Sequence, residues 1–435
     1  MIGRKADKTG TGSERIGKRA GRRSVCAAAG LLLLACTSCS TSYQPKVTQD
    51  NISNYFSTEI LDNIGGSSSY QIVAVDHTTS AFSQAILAGL GQPLADGVGP
   101  FTTTSNGFLD IALPADVTIG TQGVWALEVP GVMGLFSNGG AYPMVSTTSC
   151  PSISQTQTFQ FLSLSPLSTD TTIGTVAYGS VDVVTSGDLV NFTNIKQFVF
   201  PAASSPAGTA VTVNPGPSAI SGNCGNTAYG QVVSITQFIN EGGQGMLQTV
   251  DTLNMNSNFL LEAGSNEPTL PNILGGAGAI GLAKPASAVN TTSLVGGSFN
   301  GFFNLAGNPA AFTGSSSACS SLLASFASLP TQPSASSLYG GDFPNQDPSM
   351  NATANCDVAI DLGTEDTNNN GLYPAATIYL GADYPGNVNG APAVLPALAI
   401  AGQIGSQNAI FVESNTSLDP NTNNPFQIFL LQASH

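Results

Sequence analysis

The sequence predicts an all-β, mainly antiparallel protein, built from sandwich, small-barrel or meander units with a few short helices. Short segments rich in β-branched and aromatic residues recur along the chain, as is typical of strands. Glycine (49 residues) and proline (26 residues) are frequent between these segments and favour turns. With 435 residues, 41% of them apolar, the chain is long enough to bury a sizeable core.

Strands account for most of the predicted elements in the first two thirds of the chain. The first clear strand is YQIVAV at residues 70–75. Residues 55–63 and 79–90 are expected to be short helices, because the run AFSQAILAGL in the second contains good helix formers. The other predicted strands are residues 108–113, 124–129, 158–164, 175–184, 192–200, 231–238 and 259–262.

The last third of the chain has the clearest pattern. The run SSACSSLLASFAS at residues 316–328 predicts one more short helix. Residues 405–408, GSQN, predict a hairpin turn between two strands. A succession of short strands predicts an antiparallel meander, either closed into a small barrel or packed as a sandwich. These strands are residues 357–362, 377–380, 397–403, 409–413 and 426–432.

Composition divides the chain into four parts. Residues 1–35 are predicted to be a signal peptide, residues 36–55 a flexible tether, residues 56–265 a β-rich domain and residues 290–435 a C-terminal antiparallel β domain. The boundary between the two domains is placed in residues 264–292, because this segment is rich in Gly, Pro and Ala and shows little alternation.

The N-terminal segment has the composition of an export signal. Eight of the eleven lysines and arginines lie in the first 23 residues, and a short apolar stretch follows them, ending in LLLLA at residues 31–35. This stretch is too short to span a bilayer, which takes roughly 20 apolar residues. A basic region, a short apolar region and a small residue at the cleavage site together predict a cleaved secretory signal.

The tetrapeptide Leu33-Leu34-Ala35-Cys36 resembles the lipobox of bacterial lipoproteins. The resemblance implies cleavage before Cys36, acyl chains on that cysteine and membrane lipid as a partner. Thr37 after the cysteine implies onward sorting to an outer membrane. The alternative is an ordinary cleaved signal that leaves free thiols behind.

Cleavage at this point changes the charge of the protein sharply. The mature chain keeps no arginine and only the lysines Lys46, Lys196 and Lys284, against 24 acidic residues, a net charge of −21. This balance argues against nucleic-acid binding, which draws its affinity from basic residues on phosphates. It also argues against partners that carry phosphate or anionic lipid.

The cysteines beyond the tether form an even set: Cys150, Cys224, Cys319 and Cys356. In an oxidising compartment two disulfides are expected, and four cysteines permit three connectivities. We favour Cys150–Cys224 and Cys319–Cys356, because each of these bonds stays within one half of the chain. Metal binding by these four cysteines is not expected, because neither CxxC nor histidine spacing accompanies them.

One segment matches the first half of a calcium-binding loop. Asp366, Asn368 and Asn370, followed by Gly371, place oxygen ligands at alternate positions before a sharp turn. Thr377 stands where such loops carry a bidentate glutamate, which Glu365 or Asp361 could replace if the fold brings them round. The other interpretation is a polar β-turn without an ion, and calcium is the one cofactor that the sequence suggests.

Catalytic motifs are weak. Asp76 and His77 are adjacent on a strand and would point to opposite faces, so Asp76 is not expected to orient the imidazole. The sole tryptophan, Trp125, is expected in the core. The sequence therefore favours a structural or binding role at the cell envelope, with an unknown protein or glycan partner. The alternative is a secreted hydrolase with a carboxylate-based site.

Overall fold

Three closed antiparallel sheets follow one another along the chain and make up the described structure. The structure is a computed structural model. It describes residues 52–58, 69–88, 92–114, 123–137, 140–146, 149–163, 176–200, 211–212, 219–227, 230–241, 244–263, 278–304, 309–327, 329, 331–334, 336–343, 356–384, 387, 389–414, 416, 418 and 425–433. The predicted signal peptide and nearly all of the predicted tether, with Cys36, lie outside these residues.

The first barrel consists of eight strands, each paired with the next one along the chain. The ring closes between its first and last strands, where Phe56 lies opposite Val145. The strands are β1 (Ile52–Thr58), β2 (Ser69–Asp76), β3 (Ala81–Ala88), β4 (Gln92–Thr103), β5 (Leu109–Ile111), β6 (Val124–Val129), β7 (Met133–Ser137) and β8 (Ala141–Val145).

The second barrel is a nine-stranded sheet whose strands β10 and β11 also pair with each other, so that all its strands except β12 form a ring of eight. The ring closes between β9 and β17, where Phe161 lies opposite Gly281. The strands are β9 (Gln157–Ser163), β10 (Val176–Ser186), β11 (Leu189–Phe200), β12 (Val211–Thr212), β13 (Ala219–Thr227), β14 (Gly230–Glu241), β15 (Gln244–Met255), β16 (Phe259–Ala263) and β17 (Gly278–Ala283).

The third barrel repeats the meander and closes between β18 and β25. Helix α1 (Thr291–Val295) precedes it, capped by the Asn290 side chain, which accepts a hydrogen bond from the Ser293 amide. A 3-10 turn (Ser316–Cys319) and helix α2 (Ser320–Phe326) lie between β19 and β20. The strands are β18 (Ser298–Phe303), β19 (Pro309–Thr313), β20 (Leu338–Gly340), β21 (Val358–Asp361), β22 (Leu372–Leu380), β23 (Ala393–Ile404), β24 (Gln407–Ser414) and β25 (Phe426–Gln432).

Apolar side chains on the inner face fill each barrel. In β6, Val124 and Ala126 belong to a core that Phe82 and Phe136 complete from other strands of the first barrel. The second and third barrels have cores of the same kind. An eight-stranded barrel is just wide enough for side chains to fill it, so these residues take up the interior.

The outer faces of the three barrels meet in a separate shared core. Trp125 of β6, Phe259 of β16 and Phe411 of β24 all belong to it. The rings of Phe108 and Phe302 join the first barrel to the third, edge to face at 5.6 Å between centroids. The three barrels are therefore parts of one unit, Lys46–His435.

The all-β prediction is confirmed, and so are the predicted strands at residues 124–129 and 426–432. The predicted helix at residues 316–328 covers the 3-10 turn and α2. The predicted hairpin turn also forms, with Ile404 opposite Gln407. Residues 56–265 hold most of the first and second barrels, and residues 290–435 hold the third; β1 begins at Ile52, within the predicted tether. Within the described part of the chain, the helices are too short to span a membrane.

Two predicted helices are wrong, because residues 55–58 and 81–88 are strands. Tyr55 and Phe82 point into the core of the first barrel, and Gln84 is buried two residues beyond Phe82. Along its length β3 also pairs with β2 on one side and β4 on the other. Burial at a period of two, with backbone pairing on both sides, outweighs the helix propensity of this run.

Candidate functional site

The predicted calcium loop lies between β21 and β22, at one end of the third barrel. The Asp366 carboxylate oxygen Oδ1 accepts hydrogen bonds from the backbone amides of Asn368, at 2.8 Å, and Asn369, at 2.9 Å. It also accepts one from the side-chain amide of Asn369, at 3.1 Å. This is the arrangement of an Asx turn, in which the aspartate itself organises the loop.

The other two predicted ligands connect this loop to the second barrel. The Lys284 ammonium group donates to the carbonyl oxygen of Asn368 at 2.8 Å. The side-chain amide of Asn370 donates to the carbonyl of Pro285 at 3.1 Å, and its own carbonyl accepts from the Gln160 side chain at 2.9 Å. The loop therefore joins the third barrel to β9 and to the segment that follows β17.

The two acidic residues that could replace the missing glutamate have other roles. Glu365 accepts hydrogen bonds from the amides of Val289, at 2.9 and 3.0 Å, and of Gly371. Asp361 accepts one from the amide of Gly363 at 2.9 Å. Among the described residues, His, Cys, Asp and Glu do not form a group of three that could hold a metal ion. Calcium binding by this loop stays a prediction, and thermal melts with and without a chelator test it: an unchanged midpoint would remove it.

The disulfide predictions are confirmed. Cys150 and Cys224 are bonded, with 5.8 Å between their Cα atoms, and tie the segment before β9 to β13. Cys319 and Cys356 are bonded, with 5.3 Å between Cα atoms, and tie the end of the 3-10 turn to the residues just before β21. Of the three possible connectivities, the structure has the one in which each bond stays within its half of the chain.

Asp76 is the last residue of β2, and His77 begins the turn between β2 and β3. Their side chains have separate partners. The Asp76 carboxylate accepts hydrogen bonds from the amides of Thr78, at 2.8 Å, and Thr79, at 3.3 Å, and from the Thr79 hydroxyl at 2.7 Å. The hydroxyl contributes most to lowering the pKa of Asp76. As expected from the sequence, this aspartate does not orient the imidazole; it stabilises the turn.

The partner of His77 is a glutamate that the sequence analysis did not single out. The His77 Nε2 atom contacts Glu128 Oε1, and the Tyr55 hydroxyl donates to Glu128 Oε2 at 2.6 Å. Burial raises the pKa of Tyr55 well above its usual value, and the Glu128 charge raises it further. Glu128 is the one charged residue in the apolar strand VWALEV, a signal that could have marked it. The three residues tie together β1, β6 and the turn between β2 and β3.

A second acidic group lies at the other end of the third barrel from the calcium-like loop. Asp357 is buried there, and its pKa is raised to about 6, first by burial and then by the charges of Asp342 and Asp383. The Phe343 amide donates to Asp357 Oδ2 at 2.8 Å and opposes the shift. A buried carboxyl group with a raised pKa beside other carboxyl groups is a pattern that acid–base chemistry uses.

Comparisons with known proteins do not place the chain in a family. Neither a protein-family model nor a curated protein matches it. Among solved structures, the Helicobacter pylori beta clamp in complex with carprofen aligns with 88% of this chain and 92% of its own, at 7% sequence identity and a TM-score of 0.12. A score this low carries no argument about fold or function.

Proposed function

We propose that this protein is an exported lipoprotein, held at the cell envelope by acyl chains on Cys36, with a structural or binding role there. The observation that supports export most directly is the pair of disulfides, Cys150–Cys224 and Cys319–Cys356. Structural disulfides persist in oxidising compartments outside the cytosol. The lipobox-like sequence before Cys36 and the outer-membrane signature of Thr37 supply the proposed anchor and location.

The filled interiors of the barrels bear on how such a protein would bind a partner. Large side chains such as Phe136, Phe192 and Phe303 are fully or almost fully buried, one in each barrel core. Because apolar side chains take up these interiors, a partner would meet the outer surface of the barrels. The mature chain lacks arginine, so a protein or a neutral glycan suits this surface better than a phosphate-bearing molecule.

Fatty-acid labelling tests the anchor. We expect the wild-type chain, expressed in a bacterium with its own lipoprotein-processing enzymes, to incorporate an alkyne fatty acid and to sediment with the outer membrane. The Cys36→Ser variant should lose both properties, because it lacks the acylated thiol. Cys39→Ser is the matched control and should keep both. Labelling that survives in Cys36→Ser, or disappears in Cys39→Ser, would refute the assignment of Cys36.

The alternative function is that of a secreted hydrolase with a carboxylate-based site, and Asp357 is the observation that favours it. A carboxyl group with a pKa of about 6 can donate a proton to a leaving group. Neutral oligosaccharides and peptides are suitable test substrates. Hydrolysis that falls as the pH rises through about 6 and is lost in Asp357→Asn, but not in Asp188→Asn, would support this alternative.

A further inference from the structure

A buried glutamate lies where the third barrel packs on the second. Glu413, near the end of β24, is 1% exposed. Phe411, two residues earlier on the same face of the strand, belongs to the shared core and contacts Phe259 of the second barrel at 6.1 Å between ring centroids. Alternation along a strand therefore directs Glu413 outward from its own barrel and toward the neighbouring one.

One amide connects this glutamate to the second barrel. Gln427 of β25 lies directly opposite Glu413 in the strand register. Its Nε2 atom is 3.3 Å from Glu413 Oε2 and 3.4 Å from the carbonyl oxygen of Ser163 in β9. The same amide group thus bridges the carboxyl group and a backbone carbonyl of the adjacent barrel.

The carboxyl group is only partly satisfied by these contacts. Glu413 Oε1 is buried without a hydrogen-bond partner. On the other side of β24, β23 presents Leu398 opposite Glu413, and a leucine offers no polar group. Burying an ionised carboxylate in such surroundings costs the free energy of its hydration, which the contacts here do not replace. Burying the neutral acid costs far less.

Among the described residues, the neighbouring strands β9, β17, β23 and β25 carry no charged side chain that could compensate Glu413. Within the described part of the chain, the one ion pair joins His77 to Glu128 in the first barrel. The nearest buried acid by strand position is Glu262 of β16, two strands from Ser163 across β17. Its register places it on the inner face, in line with Leu260, so it does not share the face of the barrel contact.

We propose that Glu413 is carried as the neutral carboxylic acid and acts as a proton-dependent latch, whose ionisation at higher pH loosens the third barrel from the second. An ionised Glu413 needs water, and admitting water beside its carboxyl group would open the contact between Gln427 and Ser163. Opening this contact would separate β25 from β9. The direction of the effect follows from burial, which raises the pKa of Glu413 well above its usual value, against a smaller opposing contribution from Gln427.

Because burial raises the pKa of Glu413, the contribution of this residue to stability decreases with rising pH. A carboxyl group whose pKa is higher in the folded than in the unfolded protein stabilises the fold most at pH values below its ordinary pKa. That contribution decreases as the pH rises toward the folded-state pKa. The latch is therefore closed in acid and weakens with rising pH, the reverse of a salt-bridged glutamate.

The test compares wild type, Glu413→Gln and Asp188→Asn between about pH 4 and about pH 9. Glutamine keeps the shape of the side chain and cannot ionise, and Asp188 lies exposed in the turn between β10 and β11. We expect the unfolding midpoints of wild type and Asp188→Asn to decrease with rising pH relative to those of Glu413→Gln. Hydrogen-exchange protection factors, which correct for the base-catalysed intrinsic rate, should fall in β9 and β25 of the wild type at the alkaline end, but not in Glu413→Gln. Parallel pH profiles for wild type and Glu413→Gln would overturn the proposal.

A measurement on the wild type alone keeps the proposal testable if Glu413→Gln does not fold. Infrared difference spectra should show the carbonyl stretch of a protonated carboxyl group that disappears on alkaline titration, over the same pH range in which the protection factors of β9 and β25 fall. Protection factors in these two strands that do not change with pH would overturn the latch. A protonated band that persists while the strands open would overturn it as well.

Discussion

The shared core predicts that its central phenylalanine stabilises two barrels at once. Phe411 is fully buried and makes edge-to-face contacts with Phe259 of the second barrel, at 6.1 Å, and with Phe429 of its own barrel, at 5.6 Å. Replacing a buried phenylalanine with alanine costs about 3–5 kcal/mol in free energy of unfolding. An aromatic pair contributes about 0.5–1.5 kcal/mol beyond its buried area. We therefore expect Phe411→Ala to lose about 4 kcal/mol, with about 1 kcal/mol of coupling to Phe259.

A double-mutant cycle measures this coupling by denaturant unfolding with the disulfides intact. Trp125 is the sole tryptophan and belongs to the shared core, so its fluorescence reports on this part of the molecule. Phe192 is the matched control, because it is fully buried inside the second barrel and belongs to a separate core. Distant sites add within about 0.3–0.5 kcal/mol. Additivity of Phe411→Ala and Phe259→Ala within that margin, or equal coupling of Phe411→Ala to Phe192→Ala, would refute the shared core as a joint energetic unit.

Three further predictions concern a bond, a carboxyl group and a glycine. Replacing both Cys319 and Cys356 with serine should lower the free energy of unfolding by about 4 kcal/mol, since the bond joins residues 37 positions apart; an unchanged value contradicts this. Because the pKa of Asp357 is raised to about 6, wild type should lose thermal stability between about pH 4 and about pH 6 relative to Asp357→Asn, and parallel melting curves would show that the carboxyl group is not perturbed. Gly301→Ala should lose about 1–3 kcal/mol in denaturant unfolding, because its Cβ would lie 1.8 Å from the backbone carbonyl oxygen of Phe429 in the paired strand β25. Gly225→Ala meets open space and should be near neutral, so equal losses would refute the steric argument.

The residue pattern within each segment identified many of the strands. It failed where helix propensity and strand pairing favour different structures. The run VWALEV at Val124–Val129 is β-branched and apolar, and it forms a strand with the predicted ends. The run AFSQAILA is as compatible with a helix as with a strand when it is considered alone. Its pairing with β2 and β4 decides the outcome, and the run itself does not show this pairing. Closure of each barrel also depends on pairing between distant residues. In the first barrel, Phe56 and Val145 pair across 89 positions of the chain.

Whether a site could be predicted likewise depended on whether its contacts are local in the sequence. The disulfides were predictable because cysteine pairing is limited to three arrangements and depends on position in the chain. The Asp366 turn was recognisable because its hydrogen bonds join residues within three positions of each other. The contact of His77 with Glu128 and the bridge from Gln427 to Ser163 were not predictable, because they join residues far apart in the sequence. A lone acid in an apolar strand, as in AIFVES at 409–414, marks such positions without naming the partner.

Burial along individual strands shows which side of each barrel faces the others. A strand of a solitary antiparallel barrel alternates apolar and polar residues, because only its inner face is covered. In β13, residues 221–225 follow this rule, with Ser221 and Asn223 exposed and Gly222 and Cys224 buried. In β24, the residues from Ala409 to the end of the strand are all buried, because the second barrel covers the outer face. The uninterrupted apolar runs of the sequence therefore encode contacts between barrels. The alternating strands supply the surface that stays open to a partner, and on β13 this surface is rich in hydroxyl and amide groups.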